Sequence, residues 1–302
     1  MRIGARPCRD ASGNLLAIGG PHALPHGWDM PVTANNESKP PPDAAWNAAA
    51  DRYTDPALSF TDYFGSRIIE RLALRPGAQV LDVCCGAGAV AIPAAAAVGR
   101  RGHVVGVDSA ERLLQEARRR AAEAHLANIT WRADDLSHLS FRDASFDAVV
   151  CAFGIYYAPD VKSAAERLWN LVRPGGRLLI ASWGERLFEP ANSAFWDAVR
   201  KVRPALCRAS NQWDAVGTPE RLADLLASAG VPGGSISDEP YEHPLLRAED
   251  WWTIVLGTHY REVVDELAPV ERDVVQALTL KPLAERRVEW INASALFATA
   301  RK

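Results

Sequence analysis

The chain has 302 residues, with 34 Lys and Arg against 37 Asp and Glu, so its formal charge at pH 7 is −3. Hydrophobic residues make up 48% and charged residues 24%, a balance that excludes wholesale disorder. The near-neutral charge argues against nucleic acid as the main partner, because phosphate binding leaves a basic footprint.

The most apolar stretch, Val80 to Val98, holds Asp82, several glycines and Pro93 and ends at Arg100-Arg101, so membrane insertion is not expected. The five cysteines have no metal-ligand spacing, and the N-terminus lacks the order of a secretory signal. Both features point to reduced thiols in a cytoplasm and to no metal. Arg outnumbers Lys 29 to 5, a genomic bias typical of GC-rich bacteria.

Residues 1–43 are rich in Gly, Pro, Asn and His and end in Lys39-Pro40-Pro41-Pro42, the pattern of a flexible leader. Met30 is the only methionine after Met1, so a true start there is a live alternative. Residues 44–302 are expected to form one catalytic domain. Helices are predicted over Asp43 to Tyr53 and Ser59 to Leu74, with Asp43 and Ser59 as N-caps.

A strict alternation follows. Strands are predicted at Gln79–Cys84, His103–Asp108, Ile129–Ala133, Phe146–Ala152 and Arg177–Trp183. Helices are predicted at Ala89–Ala97, Ala110–Ala124 and Val161–Leu171. Each strand is a continuous apolar run, as expected where helices cover both sheet faces. The fold class is therefore α/β, a doubly wound and mostly parallel sheet.

After Trp183 the rhythm loosens. Helices are predicted at Glu189–Val202, Thr218–Ser228, Ala248–Leu267 and Pro269–Leu278, a weak strand at Ser235–Tyr241 and a final strand at Ala293–Ala300. The early helices (44–75) and the stretches 185–217 and 248–285 lie outside the alternation and are expected to form a cap.

The sharpest motif is Val80-Leu81-Asp82-Val83-Cys84-Cys85-Gly86-Ala87-Gly88, a strand entering a small-residue turn where backbone approaches a ligand closely. Twenty residues on, the next strand ends in Asp108, placed for ribose hydroxyls. Gly86 to Ala91 also fits the dinucleotide pattern G-x-G-x-x-G/A, which keeps a nicotinamide oxidoreductase open as an alternative. Against it stands Asp82, since a carboxylate at the strand end suits a cationic ligand and repels a pyrophosphate. The third strand adds Asp134-Asp135-Leu136, a carboxylate for an adenine amino group.

Through LDVCCGAG, VVGVD, ADDLSHLSF, FDAVVCAFG and RPGGRLLI, in that order, residues from about Trp46 onward resemble the class I S-adenosylmethionine-dependent methyltransferases. The resemblance is to the small-molecule, type 11-like branch that includes ubiquinone and menaquinone methyltransferases. It implies S-adenosylmethionine as cofactor, S-adenosylhomocysteine as product, and a seven-stranded sheet whose last strand is antiparallel. It also implies that Asp82, Gly86 and Gly88 cradle the methionine end, with Cys84 beside it in the place of the family's first glycine. Asp108 would take the ribose hydroxyls, with Ser109 as the next helix's N-cap. Asp135, or Asp134 one residue earlier, would take the adenine amino group under Leu136. Cys151 and Phe153 would border the cofactor at the end of the fourth strand.

The acceptor is less constrained: a small organic molecule methylated on O, N or C by a monomer or homodimer. Tyr156 and Tyr157 are placed to face the methyl group. His259 is the further catalytic candidate, with His243 and Tyr260 behind it. Trp251 or Trp252 is expected to line a pocket shared with Tyr156 or Tyr157; Trp183 and Trp196 are further candidate lining residues. A protein of this fold catalysing a cyclisation instead remains an alternative, because the cofactor residues would be unchanged.

Overall fold

The computed structural model describes residues 43–208 and 211–302. The expected leader, Asp43 apart, lies outside the described residues. Two helices open the described chain, α1 (Ala44–Tyr53) and α2 (Phe60–Leu72). Neither expected cap forms: Asp43 accepts from the Asn47 side chain at 2.8 Å, and Ser59 makes no side-chain cap. Asp55 caps instead, taking the Ala57 N–H at the short turn Pro56–Leu58.

The alternation then appears as read. It runs β1 (Gln79–Val83), α3 (Ala91–Val98), β2 (His103–Asp108), α4 (Glu111–Glu123), β3 (Ile129–Ala133), β4 (Phe146–Ala152), α5 (Val161–Leu171) and β5 (Val172–Trp183). Strand β5 begins five residues earlier than its apolar run, because Val172 already pairs with Phe146; Arg173 to Gly176 then bulge out of that ladder, with Gly175 at φ 81°, and bond to Lys302 instead. Helix α4 lacks the expected Ser109 cap. The Asp108 carboxylate takes the Ala110 N–H at 2.9 Å in its place, leaving Ser109 exposed.

The remaining elements are α6 (Ala191–Val202), α7 (Pro219–Ser228), β6 (Ser235–Glu239), β7 (Glu242–Pro244), α8 (Ala248–Leu256), α9 (Arg261–Asp265), α10 (Pro269–Glu285), β8 (Trp290–Asn292) and β9 (Ala295–Arg301). Thr218 caps α7 by accepting from Arg221 N, as expected. The single helix read over Ala248–Leu267 is broken at Gly257, Thr258, His259 and Tyr260. Helix α10 outruns its expected end at Leu278 and passes through Pro282. Strands β7 and β8 form a separate antiparallel ribbon, too short to show a period in sequence.

The main sheet has the order β3-β2-β1-β4-β5-β9-β6. All neighbours from β3 to β5 are parallel, and β9 runs antiparallel between β5 and β6. This is the seven-stranded, mostly parallel sheet expected, with the last strand antiparallel. Val80, Leu81, Val149, Val150, Leu179 and Ile180 are fully buried, which explains the unalternating apolar runs. Strand order reverses between β1 and β4. Ligands of doubly wound sheets settle beyond the strand ends at that switch point.

Candidate functional site

The ends of β1 and β4 carry the site. Asp82 projects from β1 at 1% exposure, and neither carboxylate oxygen has a hydrogen-bond partner. Burial pushes its pKa up to about 8; the Ala91 backbone N–H, short of a full hydrogen bond, pulls it partly back, and the nearby Asp108 charge pushes it up again. A buried carboxyl without partners is costly and calls for a cationic or donating ligand.

The turn that follows is left-handed at Cys84 (φ 58°), Gly86 (φ 51°) and Gly88 (φ 84°). For Cys84 this conformation is strained, which is the physical reason that glycine suits the position. At Gly88 a Cβ would lie 2.9 Å from Ile92 Cδ1 and 3.0 Å from the Trp131 ring, so a side chain there would have to displace both at a φ of 84° that favours glycine.

Asp108 closes the turn from the adjacent strand. Its Oδ2 accepts the Gly86 N–H at 2.8 Å and its Oδ1 accepts the Ala110 N–H. Burial raises its pKa while these amides pull it back. Tyr53 of α1 lies over the same turn, its hydroxyl 3.1 Å from where a Gly86 Cβ would stand. Burial and the Asp108 charge raise the Tyr53 pKa. Trp46, seven residues earlier and so near the same face of α1, packs edge-on against both Tyr53 and Tyr157. Sequence reading missed both residues. The signal was the i, i+7 aromatic pair on α1.

Beyond β3 the two neighbouring aspartates differ. Asp134 is engaged by Arg132 at 2.9 Å and by the Asp135 N–H. Asp135 receives the Ser137 N–H through Oδ1 only and stands more open, above the buried Leu136.

At the end of β4, Cys151 lies beside Cys84 and, with burial, pushes the Cys84 thiol's pKa up. A Cβ on Gly154 would fall 2.6 Å from Cys84 Sγ and 3.5 Å from Cys151 Sγ, so only glycine passes between them and the next loop. Phe153 adopts φ 55° and stacks on Trp183 with centroids 3.9 Å apart. Strained residues of this kind cluster at functional sites. Tyr156 and Tyr157 follow on a single 3-10 turn.

The break between α8 and α9 carries His259. Its ring lies edge-on to Trp213 at 4.5 Å, and Trp213 in turn faces Tyr156 at 6.3 Å. His259 Nε2 is buried without a hydrogen-bond partner, and burial, aided by Arg208, pushes the ring's pKa down to about 3. The imidazole is therefore neutral and offers an unused polar atom.

Other expectations resolve differently. His243 Nε2 is bonded to the Ala57 carbonyl and Tyr260 donates to Asn192 Oδ1, so both are tied into the framework. Trp251 is fully buried against Phe188 and Tyr260, two rings removed from Phe153 through Phe188 and Trp183. It packs the core rather than joining Tyr156 or Tyr157. Trp252 is buried on the same helix. Among the described residues no cluster of His, Cys, Asp or Glu could hold a metal, and no helix is long and apolar enough to cross a membrane.

Residues 80–176, which contain this turn and both aspartate strands, match the methyltransferase domain family. Nocamycin O-methyltransferase of Saccharothrix syringae is 30% identical over 244 residues, covering 75% of this chain and 87% of its own. Aklanonic acid methyltransferase of a Streptomyces species is 33% identical over 138 residues, covering 46% of this chain and 63% of its own. The chain thus spans most of the first relative and under two thirds of the second. The solved phosphoethanolamine N-methyltransferase 2 of Haemonchus contortus, with S-adenosyl-L-methionine, superposes with a TM-score of 0.53 at 17% identity, covering 88% of this chain and 58% of its own. That likeness is one of fold.

Proposed function

The chain belongs to the S-adenosylmethionine-dependent methyltransferase family, and we propose that it methylates an oxygen of a small, largely apolar organic acceptor. The observation that carries the acceptor reading is the unpartnered Nε2 of buried, neutral His259, beside Trp213 and on the Tyr156 side of the site. A neutral imidazole nitrogen accepts from a hydroxyl, and the aromatic rings suit an apolar body. The O-methyltransferase name of the 87%-covered relative supports the same acceptor atom.

The cofactor residues fit the group. Asp82, with two unpartnered oxygens, would hold the cationic methionine end at the Cys84–Gly88 turn. Asp108 would take the ribose hydroxyls, since two of its lone-pair positions remain after the Gly86 and Ala110 bonds. Asp135, less engaged than Asp134, would take the adenine amino group over Leu136, with Cys151 and Phe153 along the cofactor's flank. Bound S-adenosylmethionine supplies an electrophilic methyl group on a sulfonium centre.

The rest of the chemistry is positioning. In-line displacement needs the acceptor oxygen held against the methyl with water excluded. Tyr156 and Tyr157 would orient the acceptor, and His259 Nε2 would accept a hydrogen bond from its hydroxyl, whose proton passes on to solvent because a ring held near pKa 3 is too weak a base to keep it. Helix α1, through Trp46 and Tyr53, and the segments that carry Trp213 and His259 would cap the site. A cytoplasmic, bacterial setting accords with the free cysteines and the Arg-rich composition.

The test is product analysis with methyl-labelled S-adenosylmethionine and a panel of phenols, enols, carboxylates and amines. Label on an oxygen acceptor, with S-adenosylhomocysteine formed in equal amount, supports the reading. Label confined to nitrogen or carbon products removes the oxygen assignment. Conversion of an acceptor without label transfer favours a non-methylating reaction such as cyclisation.

A further inference from the structure

Among the described residues, the large apolar side chains standing in solvent are Leu246, Val270, Val274, Leu278 and Trp290. All five lie on α10 or on the β7–β8 ribbon and its flank, into which the C-terminal end of α10 runs. Scattered apolar residues need no explanation, but a confined set marks a contact surface. On α10 the buried face is Val275, Thr279 and Leu283. The opposite face should be polar on a surface helix. Here it presents Val270, Val274 and Leu278 at four-residue spacing, with Ala277 and Ala284 also exposed.

We propose that this face is the interface of a homodimer, in which α10 packs antiparallel on α10 of a second copy and crosses it at Ala277. The charges select this arrangement. Asp273 and Lys281 stand on the exposed face, four residues either side of Ala277. A two-fold axis through Ala277 sets each Asp273 against Lys281 of the second copy, twice over, and each Val270 against Ala284 of the second copy. A parallel crossing would oppose like charges instead. The small Ala277 at the crossing lets the backbones approach. An anionic bilayer suits the face less well, because Asp273 and Glu285 stand on it beside Lys281. A helix of 17 residues is about 25 Å long, and one such face falls short of the ~800 Å² per partner of stable complexes. The dimer is therefore expected to exchange with monomer at concentrations on the order of micromolar.

Sedimentation velocity on the full chain, over about 1–200 µM to bracket such weak interfaces, tests this. The expected result is a species of twice the chain mass that grows with concentration. Val274→Arg should stay monomeric throughout, with unchanged circular dichroism and unchanged S-adenosylhomocysteine affinity. Asp273→Lys and Lys281→Asp should each weaken association about tenfold, and the double exchange should restore it. A monomer at every concentration overturns the proposal, as does a dimer indifferent to Val274→Arg. Failure of the double exchange to restore association overturns the antiparallel crossing. Co-flotation of the wild-type chain with phosphatidylglycerol vesicles, lost in Val274→Arg, would assign the face to a membrane instead.

Discussion

The carboxylate of Asp108 accepts the backbone N–H of Gly86 at 2.8 Å, across 22 residues of sequence. The bond joins the end of β2 to the turn after β1, so the group assigned to the ribose and the turn assigned to the methionine end form one unit. The Ala110 N–H fixes the other oxygen at 2.9 Å. Asp108 is thus oriented before any ligand arrives, and its free lone pairs are aimed without further ordering cost.

Asp82 should make cofactor binding pH-dependent. Its folded pKa of about 8 lies above the ordinary ~3.9, so its contribution to stability is full below pH ~4 and lost as pH rises toward 8. A cation at the site favours the carboxylate and reverses that preference. Binding of S-adenosylhomocysteine at pH 7 should release a proton, and affinity should rise up to about tenfold per pH unit below pH 8. Calorimetry in buffers of different ionisation enthalpy checks this; a buffer-independent enthalpy with pH-independent affinity counts against it.

Cys84 tests the backbone argument. Cys84→Gly relieves a left-handed strain of about 1–2 kcal/mol but adds a glycine entropy cost of about 0.5–1 kcal/mol. Stability should therefore stay within about 1 kcal/mol of the parent, and cofactor affinity should hold. Cys84→Val, β-branched at φ 58°, should lose about 2 kcal/mol or more in urea unfolding. Equal stability of the two variants would show that the turn is not strained there.

His259→Phe should lower kcat/KM for the acceptor about tenfold or more while S-adenosylhomocysteine affinity stays within about threefold, because the lost bond is on the acceptor side. The ring also leaves a stability signature. Its folded pKa of about 3 lies below the ordinary ~6.5, so the parent loses stability as pH falls from 6.5 toward 3 and the variant should lose less. Unchanged acceptor kinetics would remove His259 from the site and leave it a packing residue.

Trp251→Ala should cost about 3–5 kcal/mol in unfolding free energy, as for other large buried aromatics. Acceptor KM, measured on the folded fraction, should be unchanged. A rise in KM without loss of stability would return Trp251 to the acceptor pocket.

Much of the sheet was legible in sequence because parallel strands covered on both faces must be apolar throughout, as in Val80-Leu81 of β1 and Val149-Val150 of β4. The Asp82 and Asp108 positions were legible because each ends such a strand. The helix breaks were not. Ala248–Leu267 reads as one apolar helix, and its interruption at Gly257, the residue that ends α8 and lies against Leu58, does not show in its apolar periodicity. Trp46 and Tyr53 were hidden for a similar reason: periodicity shows that α1 has an apolar face, not what that face meets. Trp251 looked like pocket lining because sequence cannot tell a buried aromatic from one beside a ligand. The ribbon β7–β8 depends on pairing between segments as distant as Glu242 and Asn292, a contact that three-residue strands do not announce.

The assignment of S-adenosylmethionine to the β1–β4 switch point, through Asp82, Asp108 and the Cys84–Gly88 turn, is decided by calorimetry. S-adenosylhomocysteine and NAD are each titrated into the full chain and into Asp108→Ala. One S-adenosylhomocysteine site is expected, with no NAD binding and a loss of about 1.5–3 kcal/mol, roughly 10- to 150-fold, in the folded variant. NAD binding without S-adenosylhomocysteine binding, or an affinity indifferent to Asp108, would contradict the assignment.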